Sequence, residues 1–254
     1  MSQQVNVERW LEYKGIAATR PNIVGIPMPK KKIVDYVFDG TSTLYGWNST
    51  TGANGCTLAH ALVDGGAMTM TMGGVAQDCG EFYHNAQWSA AKNVGAQFKV
   101  KISGITDVNV CCGFVDAYEN TNDHIAIEVD AAAFRNCSNT ADFCGMVFDT
   151  DATTDVWYCG ESKNGTEGTP VAARSSLAPV ADTYFYVRVQ TDSTGKVTYY
   201  YGLSPDKIVP VGNSAAAAIA YSATDMLAPY VGFIDHTTGS KVCTISRVTV
   251  WQDN

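Results

Sequence analysis

Apolar residues recur at every second position over long stretches of this chain, and no other feature limits its fold as tightly. Val94, Ala96, Phe98, Val100 and Ile102 alternate with Gly95, Gln97, Lys99 and Lys101. Met68, Met70 and Met72 alternate with Thr69 and Thr71, and Phe185, Val187 and Val189 with Tyr184, Tyr186, Arg188 and Gln190. An extended strand sends successive side chains to opposite faces, whereas a helix brings one face round every three to four residues. These segments therefore predict half-buried strands of antiparallel sheets. The last segment, Lys241–Trp251, follows suit, with Val242, Val248 and Val250 expected on one face.

Turn residues at Asp64-Gly65-Gly66, Asn164-Gly165, Asp192–Gly195 and Thr238-Gly239 separate the alternating segments. Roughly a dozen strands follow, too many for one flat sheet. The expected fold class is all-β: a two-sheet antiparallel jelly-roll sandwich over residues 33–254. Helix is scarce in this part of the chain, where Ala86–Lys92 and Ser214–Ser222 each suggest about two turns.

Residues 1–32 carry a different signal. Pro21, Pro27 and Pro29 interrupt any ladder, and Val7–Tyr13 holds at most a short amphipathic turn. This segment is expected to be an extended N-terminal arm. It carries six basic and two acidic residues, a net charge of +4, while the other 222 residues carry eleven basic and twenty-three acidic, a net of −12. The overall −8 argues against general affinity for nucleic acid or anionic membrane. No apolar run approaches the roughly 20 residues of a membrane-spanning helix, and the start of the sequence lacks the pattern of a secretion signal. The protein is accordingly expected to fold in a cytoplasm. A basic arm on an acidic body suggests a protein partner, with Arg9, Trp10, Tyr13, Lys30, Lys31 and Lys32 as its contact residues.

Eight cysteines without a CxxC pair read as buried thiols rather than zinc ligands. Cys111 and Cys112 should face opposite sides of one strand. A symmetric hairpin would set Cys144 opposite Cys159, a pair able to bond in an oxidising medium. Between them, Asp149, Asp151 and Asp155 place three carboxylates within seven residues, the donor type that Ca²⁺ takes on a tight turn, or else a plain hairpin turn. Calcium is the one cofactor the sequence suggests. Glu128 and Asp130, at i and i+2 of a strand, form a carboxylate pair spaced for glycoside hydrolysis, or else a plain solvated strand face. His60, His84, His124 and His236 stand in no catalytic motif and read as surface or loop residues. Trp47, Trp88, Trp157 and Tyr199–Tyr201 are the aromatic residues that could stack on a sugar, with Trp47 and Trp157 foremost.

Taken in order, YVFDGTSTLYGWNST, VCCGFVDAYENTNDHIAIEVD, GMVFDTDATTDVWYCGESKNG, DTYFYVRVQTDSTGKVTYYYG and APYVGFIDHTTGSKVCTISRVTVWQD resemble one known family. It is the concanavalin A-like (laminin G-like) jelly-roll domain of structural proteins in tailed bacteriophages, notably capsid decoration or cement proteins. The resemblance covers about Tyr36 to Asp253. It implies a non-enzymatic virion protein, a homotrimer that binds the major capsid protein and stabilises the head through arm and body contacts. The alternative is a tail or head-fibre module that binds a host glycan. The acid set of the sandwich glucanases is only partly matched, since the third acid position falls on Ala133.

Overall fold

The structure, a computed structural model, describes residues 2–6, 31–38, 46–52, 54–61, 63, 65–118, 124–131, 133–136, 142–167, 171–172, 178–213, 221 and 224–253. These residues form two nine-stranded antiparallel sheets and a separate hairpin, with one 3-10 turn at Pro205–Lys207. No described helix is long and apolar enough to cross a membrane.

The first sheet runs β1 (Ser2–Asn6), β2 (Lys31–Val37), β20 (Val242–Asp253), β8 (Gly95–Ile102), β16 (Phe185–Thr191), β17 (Val197–Gly202), β18 (Val209–Asn213). The long β20 also holds β5 (Ala67–Thr71) past the end of β2, and β4 (Thr57–Ala61) pairs with β5. The second sheet runs β14 (Thr166–Glu167), β13 (Trp157–Lys163), β12 (Phe143–Asp149), β9 (Val108–Val115), β19 (Met226–Asp235), β6 (Asp78–His84), β3 (Trp47–Thr51). Here β15 (Val171–Ala172) pairs with β13, and β7 (Trp88–Ser89) with β19. The hairpin is β10 (Ile127–Asp130) and β11 (Ala133–Asn136).

The inward faces make the main core, where Phe98, Val100, Val187 and Val189 of the first sheet share one cluster with Phe114, Phe148, Trp157 and Phe233 of the second. Along β8 and β16 burial alternates residue by residue, as the period-two pattern predicts. The second sheet differs. Strands β6, β9 and β12 are buried at every position. Their outer face carries a second apolar cluster, in which Cys111, Val147, Tyr158 and Tyr230 pack with Ile125, Ile127, Val129 and Phe134 of the hairpin segment. A strand covered on both faces has no polar side, hence the unbroken runs VNVCCGFV and FCGMVFD. Gly160 makes room for the cover, because a Cβ there would come within 2.4 Å of the Phe134 ring.

Several local expectations are corrected. A register shift between Ile245 and Arg247 inverts the parity of β20, so Cys243 and Ile245 share the inward face with Val248 and Val250, and Val242 does not. A bulge inserts one residue into the ladder and turns every later side chain over. In the β12–β13 hairpin Cys144 pairs with Glu161 and Cys159 with Met146, two positions from the symmetric register. Seven cysteines are buried and free, and Cys137 lies outside the described residues. Cys111 and Cys112 do face opposite sides, one in each cluster. Residues 86–92 form β7 and a turn instead of a helix, and 214–220 lie outside the described residues.

Candidate functional site

The outer face of the first sheet is built from the polar half of the alternating strands. Across the ladders Tyr200 stands beside Arg188, Arg188 beside Gln97, Gln97 beside Thr249, and Thr249 beside Asp35. The neighbouring rung sets Tyr186 beside Lys99 and Lys99 beside Arg247. The Arg188 guanidinium lies 5.5 Å from the centre of the Tyr200 ring and 5.8 Å from that of Trp251. Its Nε and Nη2 donate to Gln97 Oε1 at 3.0 and 2.7 Å. Burial among these groups lowers the Arg188 pKa from its ordinary value, opposed by Tyr200, and a guanidinium stays charged through such a shift. Lys99 Nζ sits 4.4 Å above the Tyr184 ring, and Arg247 is paired with Asp35, its Nε donating to Oδ1 at 2.8 Å. The result is a cationic, aromatic, half-exposed face on an acidic chain. Arg188 faces Tyr200, because it is Val189 that pairs with Tyr199.

Trp47 and Trp157, expected to stack on a sugar, are core residues. Trp47 lies parallel to Phe82 at 4.6 Å, and Trp157 meets Phe185 edge to face at 5.2 Å. Trp88 and Tyr199 are buried as well. Each occupies an inward position, so burial of its large ring decides its place. The hairpin segment fills the other open sheet face. Glu128 is buried there, its Oε1 3.0 Å from His124 Nδ1, while Asp130 is exposed. Burial raises the Glu128 pKa, opposed by His124.

Of the three aspartates, Asp149 and Asp151 come together and Asp155 does not. The third member of the cluster is His236, and the three side chains each bring one donor atom within 4.8 Å of the others. Asp149 ends β12 and is 1% exposed. Its Oδ2 accepts from Asn109 Nδ2 at 2.8 Å and from the Val129 amide at 2.9 Å, and its Oδ1 from the Asp151 amide at 3.0 Å. His236 follows β19, its side chain 9% exposed, with Nε2 at 3.5 Å from Asp149 Oδ1. Burial lowers the His236 pKa, but the carboxylates of Asp149 and Asp151 outweigh it and hold the group above its ordinary value. No local pattern marks His236, which lies more than eighty residues from Asp151 and joins it only because β19 and β12 both flank β9.

The arm residues are accounted for in part. Lys31 and Lys32 stand in β2, and Ser2–Asn6 pair with that strand, so the sheet takes in two stretches of the expected arm. Lys32 Nζ lies 4.4 Å above the Trp88 ring and 3.4 Å from Gln87 Oε1, held against the body. Arg9, Trp10, Tyr13 and Lys30 lie outside the described residues.

No family model and no curated protein matches the sequence. Solved structures do match in fold. A protein of unknown function from Shewanella oneidensis MR-1 aligns over 88% of this chain and 87% of its own, at TM-score 0.58 and 10% identity. The seed lectin of Lotus tetragonolobus aligns over 87% and 99%, at 0.56 and 11%. A Bacillus licheniformis β-glucanase aligns over 85% and 97%, at 0.54 and 12%. The chain thus has the concanavalin A-like jelly-roll fold that its strand pattern and sequence resemblance led us to expect. Identity near one-tenth makes this a likeness of fold alone.

Proposed function

We propose that the protein is a non-enzymatic glycan-binding module whose contact surface is the outer face of the first sheet, centred on Arg188. The observation that carries this reading is the Arg188 guanidinium held by Gln97 between the Tyr200 and Trp251 rings. A sugar offers an apolar C–H face and a rim of hydroxyls. Half-exposed rings meet the first, and a preordered fork of N–H donors meets the second. Two of the five donors of Arg188 are used on Gln97, so fixing the fork costs little further entropy on binding. Lys99 and Lys101 add positive charge to the same face, which favours acidic sugars over neutral ones. Carbohydrate-binding proteins among the structural neighbours support the reading at the level of fold. The test is binding to an array of neutral and uronic or sialic acid glycans. Acidic glycans should bind, and Arg188→Ala and Tyr200→Ala should each weaken them tenfold or more. Binding that survives both changes would remove this face from consideration.

A second reading keeps the capsid role. It is supported by β1, which ends the first sheet and has no second neighbour among the described residues. Such an edge offers unpaired N–H and C=O groups to an added strand. In that reading the chain is a trimeric virion protein, and the basic N-terminal segment with β1 docks on the major capsid protein. Deleting residues 1–30 should then abolish head binding. Full occupancy of heads by the shortened chain would discard it.

A further inference from the structure

We infer that Asp149, Asp151 and His236 form a binding site for one transition-metal dication of the zinc or manganese type, on the second sheet and separate from the Arg188 face. The oxygens of Asp149 are already well used by the Asn109, Val129 and Asp151 N–H groups, and what remains of Oδ1 points at the imidazole. His236 Nδ1 lies 3.1 Å from Gln77 Oε1, an acceptor only, so Nδ1 carries the hydrogen and donates it. In the neutral imidazole Nε2 is then the lone-pair nitrogen, the one open to a metal ion. It is buried, has no hydrogen-bond partner, and faces a carboxylate oxygen at 3.5 Å. A lone pair facing a carboxylate needs a positive charge between the two, and a bound dication supplies it in place of a proton. A ligating histidine whose other nitrogen donates to a carbonyl, beside a carboxylate that accepts backbone amides as Asp149 does, is the outer arrangement that metal centres use.

The donor set selects the ion. Calcium takes six to eight oxygens, whereas one imidazole and two carboxylates suit a borderline dication, with water completing the shell. The Asp149–Asp155 segment is therefore only part of the site, and nitrogen from β19 changes which ion it fits. Gln77 supports the histidine from outside. The Asn109 Oδ1 atom, buried and unpaired beside Asp149, offers one acceptor to an ordered water.

The experiment uses the full chain, stripped with chelator and titrated separately with Zn²⁺, Mn²⁺ and Ca²⁺ by calorimetry and thermal melting. Cobalt absorption gives a direct readout of the ligand field. One equivalent of Zn²⁺ or Mn²⁺ should bind and raise the melting temperature, with Ca²⁺ at least tenfold weaker. His236→Gln should lower affinity tenfold or more and change the cobalt spectrum. The Asp151 side chain is 59% exposed, so Asp151→Asn should fold normally and still bind at least tenfold more weakly. The inference is overturned if no dication binds, which would leave a protonated His236 as the counter-charge. It is equally overturned if Ca²⁺ binds as well as the others, or if neither variant changes the affinity.

Discussion

Trp251 packs its indole against Gly95, its partner across the β8–β20 ladder, and a Cβ on Gly95 would come within 2.3 Å of the ring. The indole can therefore reach the guanidinium of Arg188 only because position 95 has no side chain. Gly95→Ala should push it off the sheet, at a cost of about 1–3 kcal/mol, the usual range for added volume in a packed site. Denaturant unfolding and tryptophan emission check this. Glycan affinity should fall in the same variant, and unchanged emission would show that the ring does not rest there.

The Tyr230 hydroxyl joins the two layers of the second core. It accepts the Ala126 amide at 2.9 Å and donates to Glu81 Oε1 at 2.5 Å, with both side chains buried. Tyr230→Phe removes a donor and an acceptor at once from a site that water does not reach. The expected loss is about 1–3 kcal/mol in equilibrium unfolding. A loss below a few tenths would mean that solvent reaches the pair.

Phe134 holds the hairpin down on the sheet. Its ring lies over Gly160 and is almost fully buried. Phe134→Ala should cost about 3–5 kcal/mol, or less if the hairpin lifts away and the sheet face is hydrated instead. Hydrogen exchange separates the two outcomes. Faster exchange confined to residues 124–136 marks lifting, and exchange unchanged throughout would contradict the packing role.

The thiols should be silent in the native protein. Burial pushes Cys56 and Cys159 up to about 12, with the nearby Asp78 and Glu161 carboxylates adding to the shift. It also raises Cys111, Cys112, Cys144 and Cys243. Below the unfolded value near 8.5 both states keep their protons, and stability is unaffected. Between that value and about 12 the unfolded chain ionises and the native state resists, so stability falls as pH rises. Thiol reagents at pH 8 should label the folded chain at most at Cys137 and the unfolded chain at all eight positions. Urea melts at pH 8 and 10 should show the alkaline loss.

Much of the fold could be read directly from alternation. Segments such as Phe185–Gln190 and Ala96–Ile102 are amphipathic at period two, and each side chain sits on the face its parity predicts. Parity fails where backbone geometry intervenes. The irregularity between Ile245 and Arg247 reverses one strand without any sequence mark, and the turn after Asp149 shifts the hairpin so that Cys144 and Cys159 miss each other. Trp47 and Trp157 show a related limit. An aromatic residue at a strand position suits a core or a ligand face equally well, and only the packing of Phe82, Phe185 and Tyr201 around them decides.

Sequence by itself determined the class of fold, the inward and outward faces of the regular strands, and the nearness of Asp149 to Asp151. These follow from neighbours in the chain, and local periodicity and composition carry that information. Tertiary structure alone decided that His236 joins Asp149 and Asp151, that residues 124–136 cover the second sheet, and that Arg188 lies between Tyr200 and Trp251. Each of these joins residues distant in sequence through strand order and register. Those are properties of the assembled sheets, set by the burial of both sheet faces together and not by any one segment.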